Sequence, residues 1–141
     1  MILYLDTSAL VKLYVRERGS ARTRTCMAEA DIAATSMVAY AEARAAFARL
    51  QRERPRGGKR HRERVSQLDR DWGSYALVEL TAAVARRAGE LAEEHALRGF
   101  DAIHLASALW LDSVYSGELR FMAFDSKLAA AAASAGLAAA A

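Results

Sequence analysis

The chain has little that would cross-link it, interrupt it or hold it in lipid. It contains one cysteine, Cys26, in 141 residues, so no disulfide can close within it. With no Cys/His frame around it, Cys26 is not part of a zinc site and reads as a packing residue of a reducing compartment. The only proline, Pro55, marks one sharp break. No apolar run approaches the roughly 20 residues needed to span a bilayer. The start runs straight into Ile2-Leu3-Tyr4-Leu5-Asp6 without a basic leader, so no signal peptide is expected. A cytoplasmic protein without a membrane segment is the resulting expectation.

What is present is alanine, helical periodicity and a clustered positive charge. Hydrophobic residues make up 53% of the chain, but many are alanine, which favours helix and buries little area. The length suits a single domain, residues 1–141, with a modest core. Net charge is only +3, yet Arg49, Arg52, Arg54, Arg56, Lys59, Arg60, Arg62 and Arg64 lie close together, with Glu53 and Glu63 the only acids among them. Such a cluster is a footprint for polyanions, or else the solvated face of a helical hairpin.

Apolar spacing predicts strands at 2–5, 31–35, 75–80 and 119–124, with a possible edge strand or frayed tail at 137–141. Helices are predicted at 7–15, 20–30, from Ser36 to Pro55, 59–72, from Thr81 onward, 101–111 and 126–135, with Gly136 closing the last. Gly57-Gly58 turns the chain between two long helices, a hairpin over about 37–72. Ile32 is the expected anchor of the second strand. Val38, Ala41, Ala45 and Leu50 are the expected buried side of the third helix, and Val65, Leu68 and Trp72 the apolar stripe of the fourth. Alternating strands and helices predict a parallel sheet covered on both faces.

Asp6 and Asp125 each end a short apolar run and precede a helix, Asp101 opens another, and Glu42 lies early in the third. Each aspartate fits a helix cap, and Glu42 fits an exposed position. Taken together they suggest more. Acids at the carboxyl ends of parallel strands face the edge where open α/β sheets bind ligands. Carboxylates gathered there repel one another and raise each other's pKa unless a cation joins them. Hard oxygen donors suit Mg²⁺ or Mn²⁺, and the chemistry that follows is metal-assisted phosphodiester hydrolysis.

The segments Ile2–Leu10, Ser36–Glu42, Phe100–Ala106 and Phe124–Leu128 stand in the order and at the intervals of PIN-domain ribonucleases. The chain resembles that family across nearly its whole length, and within it the toxins of VapBC-type toxin–antitoxin pairs. The resemblance implies a three-layer α/β/α sandwich around a mostly parallel sheet of four to five strands. It implies that Asp6, Glu42, Asp101 and Asp125 form the catalytic and metal-binding acidic pocket for Mg²⁺ (or Mn²⁺). Ser8 would sit beside the pocket, orienting a water or ligand or else satisfying backbone donors. His104, one turn after Asp101, reads as a supporting residue rather than a general base. Arg56, Lys59, Arg60 and Arg62 are the candidate RNA contacts. The expected partners are an RNA substrate, a VapB-type antitoxin and a second copy of the chain.

Four other functions compete. A PIN nuclease in RNA processing is one, but processing nucleases often carry extra domains, and the compact single-domain chain favours the toxin. A haloacid-dehalogenase-like phosphatase needs a second aspartate two residues after the first, where Ser8 stands; a receiver domain needs adjacent acids early in the chain. A PIN fold acting only as a binding module would be favoured by loss of an acid, but all four are present.

Overall fold

The computed structural model describes residues 1–55 and 57–140. Its sheet begins with β1 (Ile2–Leu5), which is buried along its whole length. A strand covered on both faces must be apolar throughout, and its side chains divide by parity. Ile2 and Tyr4 join one core cluster, and Leu3 and Leu5 the other. The remaining strands are β2 (Ile32–Ser36), β3 (Ala76–Val78), β4 (Leu119–Met122) and β5 (Ala138–Ala139). All pairings are parallel, in the order β3-β2-β1-β4-β5.

The described residues form seven helices: α1 (Thr7–Val11), α2 (Ser20–Glu29), α3 (Ala39–Glu53), α4 (Lys59–Trp72), α5 (Ala82–His95), α6 (Gly99–Val114) and α7 (Ser126–Ser134). Helices α5, α6 and α7 cover one face of the sheet around Leu91, Leu105 and Leu128. The other core holds Leu10, Phe47 and Leu68 from α1, α3 and α4. The result is the three-layer α/β/α sandwich, with a five-stranded sheet.

Several boundaries follow from local chemistry. Thr81 caps α5 by accepting from the Val84 N–H at 3.2 Å. At the end of α7, Gly136 takes φ +95°, the Leu137 N–H reaches the Ala132 carbonyl and the Gly136 N–H reaches that of Ala133. This closing motif delivers the chain to β5. Gly19 is required twice over: its φ is +93°, and a Cβ there would lie 2.6 Å from the Phe124 ring.

Other expectations need correction. Helix α1 is regular only to Val11, and α6 starts at Gly99, so Phe100 lies in a helix rather than a loop. Ile32 is 40% exposed at the start of β2 and does not anchor it. The buried side of α3 is Ala39, Ala43 and Phe47, not Ala41 and Ala45, which face solvent. In α4, Leu68 is fully buried within the chain, and Trp72 packs edge-on against Tyr40 and Tyr75. Of the stripe Val65, Leu68 and Trp72, only Leu68 is spent fully on the chain's own core; Val65 and Trp72 pack against it partly buried. None of the helices is long and apolar enough to cross a membrane among the described residues.

Candidate active site

From β1 the sheet extends one way through β2 and β3, and the other way through β4 and β5. The crevice outside the carboxyl ends of β1 and β4 is thus the switch point of the topology, where open parallel sheets take their ligands. Asp6 follows β1 and Asp125 follows β4.

Asp6 is almost fully buried, at 3% exposure, and caps α1. Its Oδ1 accepts from the Ala9 N–H at 2.9 Å and from the Ser8 hydroxyl at 2.7 Å. Ser8 in turn accepts from the Phe124 N–H at 3.1 Å, so it ties the exit of β4 to the first acid. Burial raises the Asp6 pKa most. The bonds from Ser8 and Ala9 and the nearby His104 oppose the shift, and the charge of Asp101 adds to it. That effect of the Asp101 charge on Asp6 is the repulsion expected of gathered carboxylates.

Glu42, in the first turn of α3, is held by two groups. The Thr7 hydroxyl donates to Oε1 at 2.6 Å, and His104 Nε2 meets the same oxygen at 2.9 Å. Burial pushes the Glu42 pKa up, but the hydrogen bonds from His104 and Thr7 outweigh it and the net shift is downward. Tyr4 shares a 3.0 Å hydrogen bond with the other ring nitrogen, Nδ1. Asp101 lies in the first turn of α6, with Arg98 at 3.5 Å from its Oδ2. Asp125 caps α7, its Oδ1 accepting from the Leu128 N–H at 2.9 Å.

One pattern unites the four acids. Each gives one oxygen to a protein partner, and among the described residues the second has none: Asp6 Oδ2, Glu42 Oε2, Asp101 Oδ1 and Asp125 Oδ2. Capping and ligand binding are therefore compatible, since each uses a different oxygen. The structure couples Asp6 to Asp101 by charge, and Glu42 to His104 and Thr7 by hydrogen bonds. It shows no direct contact from Asp125 to the other three acids. Among the described residues no three His, Cys, Asp or Glu side chains are gathered closely enough to grip an ion, so the acids do not form a closed cage. The donor set still fits Mg²⁺, which keeps several waters and binds through one or two carboxylates plus substrate phosphate.

Two members of this network, Thr7 and Tyr4, had no assigned role in the sequence reading. Parity was the available signal for Tyr4: it stands two residues before Asp6 in a buried strand, and a buried phenol needs a polar partner.

The basic candidates divide. Arg56 lies outside the described residues. Lys59 is exposed, 4.0 Å from Glu63, and Arg62 is exposed beside Gly58. Arg60 joins Arg16, Arg54 and Arg64 around a cavity of about 280 Å³ between the chain after α1 and the α3–α4 turn. Glu17, the only acid on that rim among the described residues, is 2.9 Å from Lys12, which itself stands over the Phe124 ring at 4.5 Å.

The PIN domain family model matches residues 3–134, and the chain belongs to that family. Its relatives narrow the group. Ribonuclease VapC45 of Mycobacterium tuberculosis (strain CDC 1551 / Oshkosh) is 42% identical over 112 residues, covering 77% of this chain and 75% of the relative, and this likeness places the chain with the VapC proteins. Among solved structures, Mycobacterium tuberculosis VapC20, a Sarcin-Ricin loop cleaving toxin, superposes with TM-score 0.67 at 19% identity, covering 96% of this chain and 95% of that one. A toxin–antitoxin complex from Klebsiella pneumoniae gives TM-score 0.65 at 18% identity over 89% of this chain and 88% of the other. At those identities the two structures speak to the fold.

Proposed function

We propose that residues 1–141 act as one cytoplasmic nuclease domain, a metal-dependent endoribonuclease that is the toxin of a type II toxin–antitoxin pair. The observation that supports the reading is that Asp6 and Asp125 follow the two strands at the switch point of the sheet, and that each of the four acids is anchored through one oxygen while the other has no partner among the described residues. A divalent Mg²⁺ or Mn²⁺ bound there would activate water and screen the charge of the phosphodiester. Asp6, Glu42, Asp101 and Asp125 hold that ion or its waters. Ser8 and the Ala9 N–H orient Asp6, and the Leu128 N–H of α7 orients Asp125.

The substrate is an RNA backbone. Arg16, Arg54, Arg60 and Arg64 form no ion pair among the described residues, and four guanidiniums around a cavity that holds a single carboxylate, Glu17, leave an excess of positive charge suited to an anion. Ser8, Phe124, Lys12 and Glu17 connect that rim to Asp6 through successive contacts of 2.7, 3.1, 4.5 and 2.9 Å. A VapB-type antitoxin silences the enzyme by placing an Arg or Lys among the open carboxylate oxygens. Self-association, with Leu68 unavailable, falls to the exposed apolar residues of α6, Trp110 and Val114, in a two-fold arrangement.

The test is cleavage of an internally positioned RNA bond. It should require Mg²⁺ or Mn²⁺, stop in EDTA and be lost in Asp6→Asn and Asp101→Asn. Inducing the wild-type chain should arrest growth, and the Asp6→Asn form should not. Cleavage that persists in EDTA defeats the metal mechanism, and growth arrest by Asp6→Asn defeats the toxin reading.

A further inference from the structure

We propose that His104 is a positioning residue, which with Thr7 and Tyr4 pins one oxygen of Glu42 and so sets the direction of the other. The inference rests on the reading above, in which Glu42 helps to hold a divalent cation. His104 is 1% exposed, on the side of α6 that also carries Asp101 one turn earlier. A buried imidazole needs partners on both nitrogens, and this one has them. A carboxylate only accepts hydrogen bonds, so Nε2 carries the hydrogen and donates to Glu42 Oε1 at 2.9 Å. The Thr7 hydroxyl donates to the same Oε1 at 2.6 Å, and its oxygen lies 2.9 Å from Nε2. On the far side of the ring the Tyr4 hydroxyl meets Nδ1 at 3.0 Å. Tyr4 is itself immobilised, fully buried and stacked on Phe121 with ring centroids 5.6 Å apart.

The arrangement has a direction. Tyr4 on β1 fixes the imidazole of α6, and the imidazole and Thr7 of α1 converge on an acid of α3. Glutamate has a long, freely rotating side chain whose ordering costs entropy. Two donors on one oxygen meet that cost before a ligand arrives and leave Oε2 without a partner among the described residues. Pairs of this kind, in which a supporting donor orients a metal-binding carboxylate, typically change affinity or activity about 10- to 100-fold when broken.

The experiment compares the wild-type full chain with His104→Leu, His104→Gln and Thr7→Val. Mn²⁺ affinity is measured by titration calorimetry without RNA, thermal stability is followed in parallel, and kcat and KM are measured on RNA. His104→Leu should weaken Mn²⁺ binding about 10-fold or more. Thr7→Val should move it in the same direction by less. His104→Gln, which keeps an N–H near the place of Nε2, should recover most of the loss, and kcat should fall with KM for RNA little changed. A folded His104→Leu that binds Mn²⁺ like wild type, or a Gln variant no better than Leu, overturns the assignment. If His104→Leu does not fold, Thr7→Val decides alone, and unaltered Mn²⁺ affinity in it is equally fatal. Wild-type protein that cleaves RNA without taking up Mn²⁺ instead refutes the metal reading itself, whatever the variants do.

Discussion

Replacing Asp6 by asparagine and by alanine separates the two tasks of that carboxylate. Asn keeps an Oδ1 that can accept from the Ala9 N–H and the Ser8 hydroxyl, and it caps helices about as well as Asp. Ala strands both donors, at a cost of about 1 kcal/mol for the cap and about 1 kcal/mol for the serine bond. The Ala variant should therefore be about 2 kcal/mol less stable than Asn, or about 6 °C in Tm for a domain of this size.

Relative to wild type the sign reverses. Burial raises the Asp6 pKa in the fold above its unfolded value, so the native state prefers the neutral acid. Below the unfolded carboxylate range wild type and Asn should melt together. As pH rises through the raised pKa, wild type loses stability relative to Asn, and the gap persists at neutral pH. Mg²⁺ at 100 times its Kd should stabilise wild type by about 2.7 kcal/mol and Asn far less. Differential scanning calorimetry from about pH 3 to 8, with and without Mg²⁺, reads all of this. An Asn variant less stable than metal-free wild type at pH 7.5, or a Tm gap that narrows as pH rises, would show that Asp6 is comfortable as a buried anion and that the reasoning is wrong.

Changing Arg16, Arg54, Arg60 and Arg64 to Gln should weaken RNA binding and flatten its salt dependence by about 0.7 in log–log slope per lost phosphate contact; an unchanged slope would return those residues to a solvated face. The Glu42 pKa is lowered on folding by His104 and Thr7 against the opposing effect of burial, so its contribution to stability is present above the unfolded glutamate pKa and is lost as pH falls through the folded one. In Glu42→Gln that part of the acid-side loss should vanish from pH-dependent urea melts. Leu68→Ala should cost about 2–5 kcal/mol by opening a core cavity, a mutant melt that a stripe reserved for a dimer interface would not produce at low concentration. Sedimentation of wild type and Trp110→Glu should show a two-fold assembly that the charge abolishes; a monomer in both removes the α6 interface.

The order of elements was legible because the signals were local. The apolar run at Ile2–Leu5, the caps at Asp6, Thr81 and Asp125, the break at Pro55 and the closing Gly136 each act within a few residues. The strand-then-acid pattern also pointed to one edge of the sheet, because parallel pairing brings the ends of neighbouring strands together whatever lies between them. What remained illegible depended on partners distant in the chain. In α3, Ala41 and Ala45 are as apolar as Ala39 and Ala43, so the alanine pattern carries no phase; packing of Phe47 into the core decides which side is buried. Whether Leu68 faces a partner or its own core turns on where α4 lies against α3, and no periodicity encodes that.

The same limit runs through the site. The sequence by itself determined which acids are available and that each aspartate sits where a helix begins. Only the tertiary structure decided which oxygen of each acid is occupied. It also decided that Glu42 is gripped by a histidine 62 residues away and a threonine 35 residues away, because a hydrogen bond is set by distance and direction in space rather than by separation along the chain.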